Sequence, residues 1–248
     1  MWTRFFGFLK NGNDYGLPKT FSRSAWLTGL GGFVVTYLST FIFVHPLADT
    51  RICTGHLPDP SFAIIPLSRS WYFITHHLYI FMVLATGAAL IVQAVVARDQ
   101  RLVLRFLAAL AFMAVMRGIT IALFPLCRFT VETGTSALSH LPTVDLGFVQ
   151  IPWRPFASND LMFSGHVGAF ILLSRATRPW PAAARWTIHA FQLAQIYGLL
   201  ATRGHYLLDI LVAFPCAYLA DFLAVKTLSW LESRRAVRLG VPDASTTR

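Results

Sequence analysis

Six apolar runs, each near the ~20 residues that an α-helix needs to cross a bilayer, constrain this chain more than any other feature. They cover approximately residues 25–46, 71–97, 102–125, 161–177, 186–202 and 206–230. Charged residues form 13% of the chain, whereas a soluble domain of this size carries about 25%. The sequence therefore predicts an all-α, multi-pass membrane protein with six transmembrane helices. The first run is longer than the apolar core of a signal peptide, so we expect an uncleaved membrane anchor.

The basic residues are distributed unevenly between the two sides of these spans. With the N-terminus in the cytoplasm, the inner segments hold 15 lysine and arginine residues and the outer segments hold five. Positive charge accumulates in cytoplasmic loops, so both termini are predicted to be cytoplasmic. The same clustering accounts for the net charge of +10 without nucleic acid as a partner.

This topology divides the chain into three parts. Residues 1–24 form a cytoplasmic segment whose aromatic and basic residues suit either an interfacial helix or a partly ordered tail. Residues 25–230 form the six-helix transmembrane domain, and residues 231–248 form a cytoplasmic tail. The longest loop, about 126–160, lies on the outer side and is a candidate lid or substrate-binding element.

Two histidine motifs lie at the outer ends of predicted spans. Ser164-Gly165-His166 opens the fourth span, and His205 stands four residues before Asp209 in the sixth. Residues spaced i, i+4 share one face of a helix, so the Asp209 carboxylate can hold one nitrogen of the His205 imidazole and leave the other nucleophilic. His166 is then the second proton-handling group. The alternative for His166 is an interfacial histidine at the start of a helix. The alternative for His205 and Asp209 is a hydrogen-bonded pair with a structural role.

Arg117 lies about 12 Å below the outer end of the third span, at 1.5 Å per residue, and His166 lies at a similar depth. A guanidinium keeps its charge inside an apolar run, and its planar fork suits a phosphate. Arg117 is therefore a predicted phosphate clamp, and the alternative is an ion pair with Asp160, Asp209 or a backbone carbonyl. If the fourth helix begins near Asp160, its N-terminal end also favours an anion close to His166.

Several other polar and aromatic residues are predicted to have structural roles. We expect Asp221, near the inner surface, to pair with a nearby base, His189 to be a packing residue, and Tyr79 to be an interfacial aromatic. Cys53 and Cys127 are both predicted to lie on the outer side, so the sequence allows a disulfide between them but does not decide whether it forms. No cluster has the spacing of metal ligands, and the sequence predicts neither a metal nor a cofactor.

These motifs together resemble the sphingomyelin synthase family, a branch of the lipid phosphate phosphatase superfamily. The shared pieces are Leu57-Pro58-Asp59, Arg117 with Thr120 and Pro125, Asp160 before Ser164-Gly165-His166, and His205-Tyr206 with Asp209 and Ala213. The chain departs from the family pattern at Ser158-Asn159, Val167 and Leu207, which leaves the choice of substrate and headgroup open. The phosphatase branch usually carries a serine and an arginine where this chain has Gly198-Leu199.

The resemblance implies a membrane enzyme that transfers a phosphocholine or phosphoethanolamine type of headgroup from a glycerophospholipid to a ceramide- or diacylglycerol-like lipid alcohol. His205, oriented by Asp209, would form a phosphohistidine intermediate, and His166 would be the acid and base. Arg117, Asp160, Ser164 and Gly165 would bind substrate on the non-cytoplasmic side. With water as acceptor, the same residues would act as a lipid phosphatase or phospholipase C. A channel or transporter would need polar residues along the full depth of several helices, whereas here they gather at the outer end.

Overall fold

The computed structural model describes residues 17–44, 58–71, 73–123, 143–145, 150–152 and 163–238. Asp160, Cys53, Cys127, most of the N-terminal segment and the end of the tail lie outside these residues. Helices dominate the described chain. They are α1 (Arg23–Val44), α2 (Ser61–Ile64), α3 (Phe73–Val96), α4 (Arg101–Leu123), α5 (Gly165–Ala176), α6 (Ala182–Ala201) and α7 (Leu207–Arg238).

Four of these helices, α1, α3, α4 and α7, are long and apolar enough to cross a membrane. Helix α5 has 12 residues and is therefore only about 18 Å long. It begins at Gly165 and not near residue 161, because the Ser164 hydroxyl caps it by accepting a hydrogen bond from the Val167 amide. The structure thus supports a multi-pass membrane protein, while the six-span count and the orientation stay predictions.

Helices α4, α5 and α7 form the centre of the protein, and α1 packs against α4. The buried face of α7 carries a row of fully buried alanines, namely Ala213, Ala217, Ala220 and Ala224. Small side chains at this spacing let helix backbones approach closely inside a membrane. Helix α3 instead exposes several large apolar side chains, including Leu84 and Val95, as expected for a lipid-facing helix.

A buried ion cluster joins the first turns of α4, the last turn of α5 and the middle of α7. The guanidinium of Arg105 on α4 makes two 2.6 Å hydrogen bonds to the Asp221 carboxylate on α7. Arg175 on α5 donates to the same carboxylate and lies over the Tyr218 ring at 4.6 Å. The prediction that Asp221 pairs with a nearby base is confirmed. His189, in contrast, is exposed on α6 beside Trp186, so the prediction of a packing role for it is wrong.

Two short antiparallel strands lie within the predicted outer loop. Strand β1 (Thr143–Asp145) pairs with β2 (Gln150–Pro152), with Val144 opposite Ile151. The sequence pattern did not indicate this hairpin.

Candidate active site

His205 lies in the tight turn between α6 and α7. Its Nδ1 atom is 3.4 Å from Oδ2 of Asp209, and the same carboxylate oxygen accepts a 3.0 Å hydrogen bond from the Tyr206 amide. The Asp209 side chain is fully buried and His205 is 4% exposed. The two side chains therefore lie together, as predicted, although His205 precedes α7 and does not share a helix face with Asp209. The hydrogen bond from the Tyr206 amide holds the carboxylate in position.

Residues 59–65, which precede α3, contact the turn that carries His205. The Asp59 carboxylate accepts a 2.6 Å hydrogen bond from the amide of Leu207, the first residue of α7. Arg203 donates two 2.9 Å hydrogen bonds to the carbonyls of Phe62 and Ile65. These contacts flank His205 on both sides in sequence, so the segment positions the histidine. The sequence placed Asp59 in a shared motif but indicated no role for it.

His166 lies in the first turn of α5, facing His205. The two imidazole centroids are 5.9 Å apart and the rings are steeply inclined. The backbone amide of Ser164 donates a 3.0 Å hydrogen bond to the carbonyl of Asp209, which ties the start of α5 to the start of α7. His166 is 7% exposed, so both histidines are enclosed by protein.

Arg117 reaches the same place from α4. Its guanidinium lies against the backbone of Gly165, where an added Cβ would be 2.6 Å from Nη1 and 3.1 Å from Cζ. Only a glycine leaves room for this contact. Because Ser164 is bonded to the backbone of Asp209, the Arg117 guanidinium, the α5 N-terminus and the start of α7 lie in one region of the protein.

Tyr79 is a member of the site that the sequence pattern did not identify. Its ring centroid is 4.4 Å from that of His166 and 5.8 Å from that of Phe170. Tyr79 was expected to be an interfacial aromatic, although its depth near the outer end of its span matches that of the histidines. That common depth is the signal that could have identified it.

The arrangement brings together five of the seven predicted site residues, His166, His205, Asp209, Arg117 and Gly165, with Ser164 as the helix cap. Asp160 lies outside the described residues. Within the described part of the chain, no three His, Cys, Asp or Glu side chains form a group that could hold a metal ion. A carboxylate-oriented imidazole, a second imidazole and a guanidinium beside a helix N-terminus are suited to phosphoryl-group chemistry.

The site thus defines a helical membrane protein with a buried centre of two histidines and a cation. A family model described as AtPDCT1/2, for phosphatidylcholine:diacylglycerol cholinephosphotransferase, matches residues 75–226. The match covers more than half of the chain and includes Arg117, both histidines and Asp209, and the chain belongs to this family. This membership points to a phospholipid headgroup transferase.

No curated protein matches the chain. The predicted resemblance to the sphingomyelin synthase branch is supported only at the level of a related headgroup transferase.

Proposed function

We propose that this protein moves a phosphocholine-type headgroup from a glycerophospholipid to a lipid alcohol through a phosphohistidine intermediate on His205. The observation that carries the proposal is the buried pair of imidazoles, 5.9 Å apart between centroids, beside Asp209 and Arg117. A phosphoryl group that contacts both rings would have a nucleophile and a proton donor within reach.

The first half-reaction is a displacement at phosphorus. Because Nδ1 of His205 faces Asp209, Nε2 is the free nucleophile and attacks the phosphorus. The bond from phosphorus to the glycerol oxygen breaks, and protonated His166 donates its proton to the departing diacylglycerol oxygen. The negative Asp209 offsets the charge that develops on the His205 ring.

The second half-reaction reverses these steps with a different alcohol. Neutral His166 removes the proton of the acceptor hydroxyl, and the acceptor oxygen attacks phosphorus. The phosphorus–nitrogen bond to His205 breaks, which regenerates the free imidazole. Both histidines return to their starting protonation states, so the cycle needs no other reactant.

Arg117 and the α5 N-terminus stabilise the phosphate charge in both steps. The guanidinium lies beside Gly165, the first residue of α5. The free backbone amides at this helix N-terminus would also bind the phosphate. Removing one such preorganised donor typically costs about 10²–10³ in kcat. The predicted orientation of the helices puts this site at the outer leaflet, on the non-cytoplasmic side.

The family description supports diacylglycerol as the first acceptor to test, with ceramide as the second. Hydrolysis would instead require a water molecule in the position of the acceptor hydroxyl. The low exposure of His205 and Asp209 supports transfer between lipids, because a buried site excludes water.

The test is a transfer assay on protein reconstituted in liposomes. Phosphatidylcholine with a labelled headgroup is supplied with unlabelled diacylglycerol, with ceramide, or without an acceptor. We expect label in a new phospholipid or phosphoceramide with wild-type protein, and loss of at least about 10³-fold in His205→Asn and His166→Asn. The control is His189→Asn, because His189 is exposed on α6 and should not affect transfer.

A second readout assigns the nucleophile. Brief incubation with the labelled donor should leave label on wild-type protein that is stable to alkali and labile to acid, as expected of phosphohistidine. His205→Asn should carry none. Labelled phosphocholine in solution, without a lipid product, would instead show a phospholipase C, and a labelled His205→Asn protein would show that another residue is the nucleophile.

A further inference from the structure

A groove lies beside the turn that carries His205. It is formed between residues Pro58–Pro60 on one side and Tyr206–Leu208 with Leu211 on the other, and its volume is about 230 Å³. That volume equals the share of roughly seven or eight water molecules at about 30 Å³ each. The groove therefore has room for a group with about as many non-hydrogen atoms as choline.

The single charged side chain among the groove-lining residues is Asp59. Its Oδ1 accepts hydrogen bonds from the Ser61 amide at 2.8 Å and the Ser61 hydroxyl at 2.6 Å, and its Oδ2 accepts one from the Leu207 amide. All three donors are neutral. In the part of the chain that the structure describes, no cation forms an ion pair with Asp59, and Arg203 donates to backbone carbonyls nearby.

The other lining residues are apolar or aromatic. Leucine and proline lie beside the carboxylate, and the Tyr206 side chain is 2% exposed, with its ring stacked on Phe62 at 5.9 Å between centroids. A carboxylate that forms no ion pair among the described residues, together with apolar surface, suits a quaternary ammonium, because the methyl groups need apolar contact and the charge needs an anion. A phosphate or a carboxylate ligand would be repelled.

The groove adjoins the turn that carries His205, because Tyr206 is one of its lining residues. Tyr206 follows His205 directly, and Asp59 belongs to the segment that connects two predicted spans on the outer side. A phospholipid in the outer leaflet points its headgroup toward water, away from its acyl chains. With the predicted orientation, a lipid whose phosphate lies at His205 would have its headgroup on the side of Asp59.

From these observations we infer that Asp59 and the groove bind the trimethylammonium group of the donor lipid, which makes Asp59 a specificity-determining residue. This inference rests on the proposed headgroup transfer and names its headgroup subsite. The carboxylate selects donors with a cationic headgroup, and the start of α7, which Asp59 also caps, couples headgroup binding to the His205 turn.

The experiment compares two donors in the reconstituted protein: phosphatidylcholine and phosphatidylglycerol, whose headgroup carries no cation. Asp59→Asn keeps a side-chain oxygen but removes the charge. We expect the ratio of kcat/KM for phosphatidylcholine to that for phosphatidylglycerol to fall roughly tenfold. Asp99→Asn is the matched control, because it removes a carboxylate on the α3–α4 turn that pairs with Arg101; it should leave the ratio unchanged.

A residue that only caps α7 would give a different result. Loss of the cap would lower transfer from both donors by the same factor, and an unchanged ratio in Asp59→Asn would overturn the inference. Because wild-type transfer is measured in the same series, this outcome is distinct from failure of the proposed function, in which wild-type protein transfers no headgroup at all.

A second measurement does not depend on the folding of Asp59→Asn. Choline should inhibit wild-type transfer competitively with phosphatidylcholine, whereas its uncharged isostere with carbon in place of nitrogen should not. Leu211→Trp, which fills the groove, should abolish inhibition by choline. Leu219→Trp, at an exposed position farther along α7, should retain it. Equal inhibition by the two compounds, or choline inhibition unchanged in Leu211→Trp, would overturn the groove as the headgroup site.

Discussion

Gly165→Ala tests the contact between Arg117 and the first turn of α5. The added Cβ would lie 2.6 Å from Nη1 of Arg117, whereas ordinary contacts begin at 3.4 Å. The guanidinium must therefore move by about 0.8 Å. Since a 1 Å misplacement in an active site can cost roughly 10²-fold in rate, we expect kcat for headgroup transfer to fall by about 30- to 100-fold.

The same substitution should not destabilise the protein. Arg117 is a long side chain, so its end can move without a shift of the backbone. Alanine in place of glycine also lowers the conformational entropy of the unfolded chain, which stabilises a compatible helix by about 0.4–1 kcal/mol. Activity and stability are therefore expected to change in opposite directions.

Helix α5 offers a matched control one turn away. A Cβ at Gly168 would also meet its neighbour at 2.6 Å, but that neighbour is the sulfur of Met113. Transfer kinetics and thermal unfolding in detergent are measured for both variants. We expect Gly168→Ala to retain most of its activity. Full activity in Gly165→Ala, or an equal loss in Gly168→Ala, would refute the role assigned to the Arg117 contact.

Three further predictions concern the carboxylates and Tyr79. Asp209→Asn should lower kcat by roughly 10³- to 10⁴-fold, because an amide favours the wrong tautomer of His205; labelling of the enzyme at the wild-type rate would contradict this. Asp221→Asn should destabilise the protein by about 3–5 kcal/mol, since it leaves two buried arginines without their shared carboxylate; chemical unfolding in detergent measures the loss, and a change below about 1 kcal/mol would contradict it. Tyr79→Leu should lower kcat about tenfold by loosening His166, whereas Tyr79→Phe keeps the ring and most of the activity. Equal losses in the two Tyr79 variants would assign the effect to the hydroxyl.

Much of the fold could be predicted because the signals are local. A run of about 20 apolar residues is sufficient to indicate a helix that crosses a bilayer, and α1, α3, α4 and α7 are such helices. The weaker spans were predicted less well. Helix α5 is shorter than residues 161–177, because the capping hydroxyl of Ser164 decides where it begins.

The candidate site was predictable where spacing or charge burial carried the information. The spacing of His205 and Asp209 indicated that they are neighbours, although His205 lies in the turn before α7. The burial of a charge in an apolar run drew attention to Arg117, whereas Arg105 and Arg175, also in apolar runs, form an ion cluster with Asp221. Residues without such a signal were missed. Tyr79 and Asp59 resemble ordinary interfacial or loop residues, because their contacts with His166 and Leu207 join distant parts of the chain.

Hydrophobicity and the periodicity of single helices are enough to establish three properties from the amino-acid order. They indicate a multi-pass membrane protein, ionisable residues at one depth, and a pairing of His205 with Asp209. The fold in three dimensions adds that Arg117 lies against Gly165, that Asp221 pairs with Arg105 and Arg175, and that His166 faces His205. Each of these contacts joins different parts of the helical bundle. They depend on the fit of side chains between helices, which no local pattern in the sequence specifies.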